Sequence, residues 1–249
     1  ESVHDASSFA GFIRPVFGSA VLNGSPGRDT HEDAFFADRD HLDQNPVAPL
    51  STPRVEQGPP RYLTDSEYER LVAAVQAYVD AYGTDDGPAH QQAPLRWLLH
   101  GIRIAVATGF RRQTLIGLEW KHINTTDDQI VVPPRLTKRD GYMVPLFDRT
   151  KRALDHIEGR TGRVLTRLDG SPIPSDTFSK QFTRFAKAAS LENVTLHTLR
   201  HTFASWLVQA GVSLYKVSAW MGHQDVKVTQ RYAHLAPAQS DDIAEQVFG

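Results

Sequence analysis

Between residues 196 and 235 the sequence gathers His197, Arg200, His223 and Tyr232, a set whose combined chemistry suits attack on a phosphate. A phenol becomes a good nucleophile once its proton is taken. Its unperturbed pKa is about 10, so it needs a neighbouring base or a cationic surround. An arginine presents a fixed fork of donors to phosphate oxygens and keeps its charge at working pH. Imidazoles can donate to the same oxygens or accept the phenolic proton. His197 and His201, four apart, also have a spacing that serves zinc. Thr198 stands where an H-E-x-x-H site carries its Glu, and no carboxylate or Cys cluster follows. No metal is therefore assigned, and His201 reads as a hydrogen-bonded structural residue.

Helices must position these groups. His197 and Arg200, at i and i+3, share one face of a helix over 197–210 that Gly211 stops, with Phe203, Trp206 and Leu207 on its buried side. A shorter helix is predicted over 213–221 and another over 225–234, which would carry Tyr232 in its last turns. Upstream, Thr64-Asp-Ser-Glu67 fits a capping box opening a helix that ends at Gly83. Residues 94–108 form a second helix ended by Gly109, and a short third begins near Arg111, with Trp120 and Ile123 packed beneath it. Residues 129–132 read as a strand. Residues 135–138 and 142–146 flank Arg139-Asp140-Gly141, a hairpin turn in which Asp-Gly tolerates positive φ. A helix from 148 or 150 to about 159 follows, then one capped by Ser175 that buries Phe178, Phe182 and Phe185. A terminal helix is predicted over 238–248. The fold class expected is mainly α, with a small antiparallel sheet between two helical groups.

The 249 residues are 40% hydrophobic, enough for a sizeable core, and contain no cysteine, which excludes disulfides and thiolate metal sites. No apolar run approaches a membrane span of about 20 residues. A cytoplasmic, nucleoid-associated location is the expectation. The net charge of −2 conceals an uneven distribution. Residues 1–60 hold 4 Lys/Arg against 9 Asp/Glu, whereas 135–235 hold 16 against 8. The basic charge thus lies where the candidate chemistry lies, the footprint of a surface that faces phosphates. Residues 9–22 read as a short helix weakened by Pro15 and two glycines, and 45–60, with five prolines, as an extended linker. The expected division is an extension and linker over 1–60 and a catalytic domain over 61–249.

Five segments in order, ATGFRRQTLIGLEW from Ala107, TKRDGYMVPL from Thr137, HTLRHTFASWL from His197, Met221-Gly-His223 and TQRYAHL from Thr229, carry a resemblance. The chain resembles the catalytic domain of the tyrosine recombinase (phage integrase) family over about residues 61–235. The resemblance implies that Arg111 is the first catalytic arginine and Lys138 the catalytic lysine. It makes His197 and Arg200 the His-x-x-Arg pair, His223 the later His/Trp position and Tyr232 the nucleophile. The family usually has an acidic residue three positions after the first arginine, where it helps hold that arginine; this chain has Thr114.

On that reading Arg111 and Arg200 clamp the non-bridging oxygens of a DNA phosphodiester, and His223 adds a donor. His197 is the candidate base for Tyr232, and Lys138 protonates the leaving 5′ oxygen. The product is a 3′-phosphotyrosyl link that preserves the bond energy, so rejoining needs no ATP, metal or cofactor. His234 reads as a structural or DNA-contact residue, and Arg112 and Arg139 as solvent or phosphate contacts. The resemblance implies double-stranded DNA as partner, a tetramer of copies on DNA with accessory DNA-bending proteins, and a monomer off DNA. The segment 241–248 either exchanges between neighbours or folds back on its own domain. Residues 1–60 would be the remnant of a truncated or partly lost core-binding domain. Two other readings stand beside this one: a type IB topoisomerase-like enzyme, which uses a related residue set, and a DNA-binding module of the same fold without turnover.

Overall fold

The structure is a computed structural model, described here over residues 58–82, 95–137, 140–223 and 225–237. The expected elements at 9–22 and 238–248, most of the linker and Lys138 lie outside the described residues. The described chain runs α1 (Asp65–Tyr82), α2 (Arg96–Thr108), α3 (Arg112–Gly117), β1 (Ile123–Asn124), β2 (Gln129–Val132), β3 (Tyr142–Pro145), α4 (Asp148–Asp155), α5 (Ser175–Ala188), α6 (Leu196–Gln209), α7 (Leu214–Trp220) and α8 (Lys227–Gln230). It is a mainly helical domain with one three-stranded antiparallel sheet in the order β1-β2-β3. Among the described residues no helix is long and apolar enough to cross a membrane.

The capping box at the start of α1 forms as the sequence predicts. Thr64 N–H donates to Glu67 Oε2 at 2.9 Å, and Glu67 N–H donates to Thr64 Oγ1 at 3.3 Å. The segment leading into α1 is pinned to α6, because Leu63 N–H donates to Thr202 Oγ1 and Trp206 Nε1–H donates to Leu63 O. The Arg149 guanidinium, from α4, lies over the rings of both Tyr68 and Trp206, at 4.7 and 4.6 Å. α1 and α4 thereby hold α6 by these contacts, and α2 packs on it as well. The main core takes in Leu71, Val75, Leu98, Ile102, Leu115, Phe178, Phe182 and Leu199, all fully buried.

Two expected elements fold differently. Residues 135–137, the described part of the segment expected over 135–138, are not a strand: Pro133 and Pro134 cannot donate to a ladder, and Pro134–Leu136 forms a 3₁₀ turn instead. The hairpin is β2 with β3, in the register Gln129↔Pro145 to Val132↔Tyr142, closed by a longer connection than the turn expected from Arg139-Asp140-Gly141. Gly141 has no positive φ. Its need for a bare Cα is steric, since a Cβ there would lie 2.6 Å from Val132 O. Ile123–Asn124 adds a third strand that the sequence reading placed only as packing beneath α3.

The second difference concerns the end of the chain. The helix expected over 225–234 is interrupted. α8 covers four residues, and a 3₁₀ turn occupies Ala233–Leu235. Tyr232 sits at the break with φ −100° and ψ −4°. Residues 225–237 therefore form a hook rather than a rod. The hook packs on a second, smaller core of Phe203, Ala204, Val208, Val217, Met221 and Tyr232 itself. Smaller shifts occur elsewhere. Pro174 rather than Ser175 occupies the cap of α5, and α4 ends at Asp155.

Candidate active site

Arg200 is the fixed point. α6 opens with a capping box between Thr195 and Thr198, which sets the helix register and turns Arg200 inward, where it is 2% exposed. A buried guanidinium without a carboxylate is costly unless its donors are satisfied. Here Nη1 donates to Gly109 O and Nη2 to Met221 O, both at 2.6 Å. Burial and, next, the charge of Arg111 lower its pKa to about 10, so it remains protonated at neutral pH.

Gly109 serves this arrangement in several ways. It terminates α2 in the left-handed region, φ +65°, with its N–H bonded to Ala105 O. The Phe203 ring lies 2.4 Å from where a Cβ would stand. Its carbonyl is one of the two that hold Arg200. Two residues on, Arg111 is extended (φ −67°, ψ 153°) at the cap of α3, and its charge bears on Arg200, His197 and His223. Among the described residues neither Arg111 nor Arg200 forms an ion pair. Two guanidiniums side by side without an acid make a site that favours an anion.

Tyr142, on β3, lies against this pair. Burial raises its pKa while Arg200 and Arg111 oppose the rise, and its buried hydroxyl has no well-aligned hydrogen-bond partner. Its ring packs on Gly222, where a Cβ would come within 2.6 Å of ring carbons. Gly222 precedes His223 and has φ +62°, so the tight turn after α7 is shaped by both the backbone and this ring.

Three imidazoles surround the arginines. His223 Nδ1 lies 2.8 Å from Thr229 Oγ1. Burial, then the charges of Arg200 and Arg111, depress its pKa to about 3. His197, in the first turn of α6, is the exposed member, yet the protein around its ring lowers its pKa, assisted by Arg200, Arg111 and Arg231. His201 sits one turn later, its ring edge-on to His197 with centroids 4.7 Å apart. Its pKa falls to about 4, chiefly through burial.

Tyr232 is 1% exposed, and burial raises its pKa against the pull of Arg231 and Arg200. Its hydroxyl lies 2.6 Å from His201 Nδ1. The direct hydrogen-bond partner of the phenol is therefore His201; His197, the candidate base of the sequence reading, makes no such bond to it among the described residues. Arg111, Arg200, His197 and His223 lie close enough for their charges to act on one another, and Tyr232, in the hook, feels the charge of Arg200 as well. Thr114, at the position of the family's acid, is buried and donates to Leu136 O at 2.8 Å. It ties α3 to the 3₁₀ turn and makes no bond to Arg111. A cleft of about 410 Å³ opens beside the site between α5 and the start of α6, with Phe110, Arg112, Ser179, Thr183 and His197 among its walls. Arg112 donates to Ser179 Oγ at 2.8 Å. No group of three or more potential metal ligands occurs among the described residues.

Sequence reasoning missed four contributors. Gly109 is legible as a helix stop but not as the acceptor for Arg200. Thr229 lies inside the Thr-Gln-Arg-Tyr segment, where only the Tyr attracted notice. His201 is expected to be hydrogen-bonded, but that its partner is Tyr232, like the place of Tyr142, depends on contacts between distant elements and leaves no local signal.

A profile described as the phage integrase family matches residues 61–239. The chain belongs to that family, whose catalytic domains are those of the tyrosine recombinases. The integrase of Salmonella phage P22 is 28% identical over 219 residues, covering 83% of this chain and 51% of the phage protein. Tyrosine recombinase XerD of Pseudomonas aeruginosa is 28% identical over 211 residues, covering 80% of this chain and 66% of that protein. The chain thus spans about half to two thirds of the length of these relatives. The catalytic domain of bacteriophage HP1 integrase shares the fold with a TM-score of 0.55 at 23% identity, covering 75% of this chain and 94% of that one. A lambda integrase dimer bound to a COC′ core site gives 0.58 at 22% identity, covering 78% and 53%.

Proposed function

We propose that this chain cleaves and rejoins DNA strands at a specific site through a 3′-phosphotyrosyl intermediate on Tyr232. The observation that carries the reading is the acid-free pair Arg111 and Arg200, flanked by His197 and His223, in a chain of the tyrosine recombinase family. Solved relatives of the same fold include one bound to its DNA core site, and the basic balance of residues 135–235 suits the same partner.

In this reading the scissile phosphate takes the place prepared for an anion. Arg200, oriented by two carbonyls, and Arg111, at the cap of α3, hold its non-bridging oxygens, and His223 donates to one of them. The Tyr232 oxygen attacks phosphorus while its proton passes to an imidazole. His197 is the base assigned to the attacking phenol, because its lowered pKa leaves it neutral at pH 7 and its ring is accessible. His201 holds the phenolic hydrogen in the resting arrangement. The P–O5′ bond breaks, and Lys138 supplies the proton to the leaving oxygen. The reverse attack by a 5′-hydroxyl releases Tyr232 and seals the strand.

Burial of Tyr232 favours a resting state in which its side chain must turn from His201 toward the arginines before attack, with the hook still seated. Assembly as a tetramer on two duplexes, with exchange of the segment 241–248 and help from DNA-bending proteins, belongs to the same proposal, as does action at the nucleoid.

The test is a nicked suicide substrate built from the DNA that flanks the gene. A covalent protein–DNA adduct should form with the wild-type chain and vanish with Tyr232→Phe. Tight binding without any adduct would favour a binding module instead. Relaxation of supercoiled DNA lacking that sequence would point to topoisomerase-like action.

A further inference from the structure

The hook that carries Tyr232 makes a second bond whose chemistry the proposed mechanism does not use. Thr229, three residues earlier, is fully buried, and its Oγ1 lies 2.8 Å from His223 Nδ1. Among the described residues this hydroxyl has no other partner, although a buried hydroxyl needs an acceptor for its hydrogen. A neutral imidazole carries one N–H and one lone pair, and the bond made by one ring nitrogen fixes the state of the other.

Two arrangements are conceivable for this pair. If His223 Nδ1–H donated to Thr229, the threonine O–H would be left buried with nowhere to go, and Nε2 would turn a lone pair toward whatever the site holds. If Thr229 O–H donates to Nδ1, the hydroxyl is satisfied and the opposite edge of the ring carries Nε2–H. That edge belongs to a ring set among Arg200, Arg111 and His197, the groups whose charges act on it. Only the second arrangement gives a phosphate oxygen a donor, and a lone pair there would repel it.

We infer that Thr229 is a positioning residue: its hydroxyl donates to His223 Nδ1, fixing the Nε2–H tautomer and aiming that donor at the phosphate. The inference rests on the phosphate-binding reading of the site given above. Because Thr229 and Tyr232 lie on the same short hook, seating the nucleophile and arming the phosphate donor are one event. A hook lifted from its bed loses Tyr232 from the site and also frees the His223 ring to choose either tautomer. The second fastening of the hook, Tyr232 to His201 Nδ1, has the same hydroxyl-to-imidazole form.

The experiment uses the full chain without DNA, then with it. Long-range ¹⁵N spectra of the imidazoles report the tautomer directly, with the His223 signals assigned from their absence in His223→Asn. Wild type and Thr229→Ser should show His223 as the Nε2–H tautomer, and Thr229→Val a mixture or the Nδ1–H form. On the suicide substrate, Thr229→Val should slow adduct formation by about 10- to 100-fold with DNA affinity unchanged, and Thr229→Ser should recover most of the rate. An Nδ1–H tautomer in the wild type overturns the inference without Thr229→Val having to fold. So does a Thr229→Val chain with wild-type tautomer and wild-type adduct rate. If the wild type shows the Nε2–H tautomer, lost in Thr229→Val, but never forms an adduct, the coupling stands and the recombinase chemistry fails.

Discussion

The two halves of the candidate site are built in opposite ways. Arg200 stands on a fourteen-residue helix, buried, with two of its donors on backbone carbonyls contributed by the ends of α2 and α7. Tyr232 stands at a break between a four-residue helix and a 3₁₀ turn, held by one imidazole and the apolar bed of Phe203, Val208, Val217 and Met221. The half that must wait for an anion is rigid before the anion arrives, which is what electrostatic preorganisation requires. The half that must travel is fastened by bonds that one proton transfer or one rotation can release. Short elements with few internal hydrogen bonds open at lower cost than long helices.

Breaking the rigid half should have the largest effect. Arg200→Ala removes a clamp and leaves Gly109 O and Met221 O without their donor. Adduct formation should disappear, and urea denaturation should show a loss of about 2–4 kcal/mol. Gly109→Ala forces a Cβ into a left-handed position and into the Phe203 ring. It should cost about 2 kcal/mol in the same measurement and weaken adduct formation through Arg200, with Tyr232 untouched.

The histidines give the comparison a pH dependence. His201 and His223 titrate near 4 and near 3 in the fold, below the unfolded value of about 6.5. Between pH 6.5 and about 4 the unfolded chain therefore binds more protons, so stability falls as pH falls through that window. Thermal melts should show a declining midpoint from pH 6.5 downward. His201→Phe should flatten that decline, because one of the two titrating fasteners of the hook is gone. An unchanged slope would mean that His201 does not hold the hook.

The smallest effects distinguish binding from chemistry. Tyr232→Phe should abolish the adduct while changing stability by only about 1 kcal/mol, since the ring keeps its place in the second core. Thr114→Val loses the bond to Leu136 O and should cost about 1 kcal/mol with little change in adduct rate. A large loss of rate there would show that Thr114 does the work of the family's acid on Arg111.

Much of this was legible in the sequence, for local reasons. The helices α1, α2, α5 and α6 announce themselves by apolar spacing, by the Thr64 and Glu67 cap, and by Gly109 and Gly211 as stops. The strand at 129–132 shows alternation, with Ile130 and Val132 inward and Val131 outward. Arg111, Arg200, His197 and His223 could be named in advance because their motifs are short and local. The break at Tyr232 could not be read, because a helical pattern continues through 225–234. What interrupts it is the burial of Thr229 and Tyr232 against α6 and α7. The prolines at 133 and 134 did carry the signal against a strand at 135–138. The basic run beyond them concealed it.

The contact between Gly222 and the Tyr142 ring has a consequence for how this domain tolerates change. The sheet works as a gauge block: the ring thickness of one residue on β3 sets the gap between β3 and the turn that carries both His223 and the Met221 carbonyl that grips Arg200. A bulkier residue at 222 or a smaller one at 142 alters that gap without touching any reacting group. Lineages that drift at one of these two positions should therefore drift at the other.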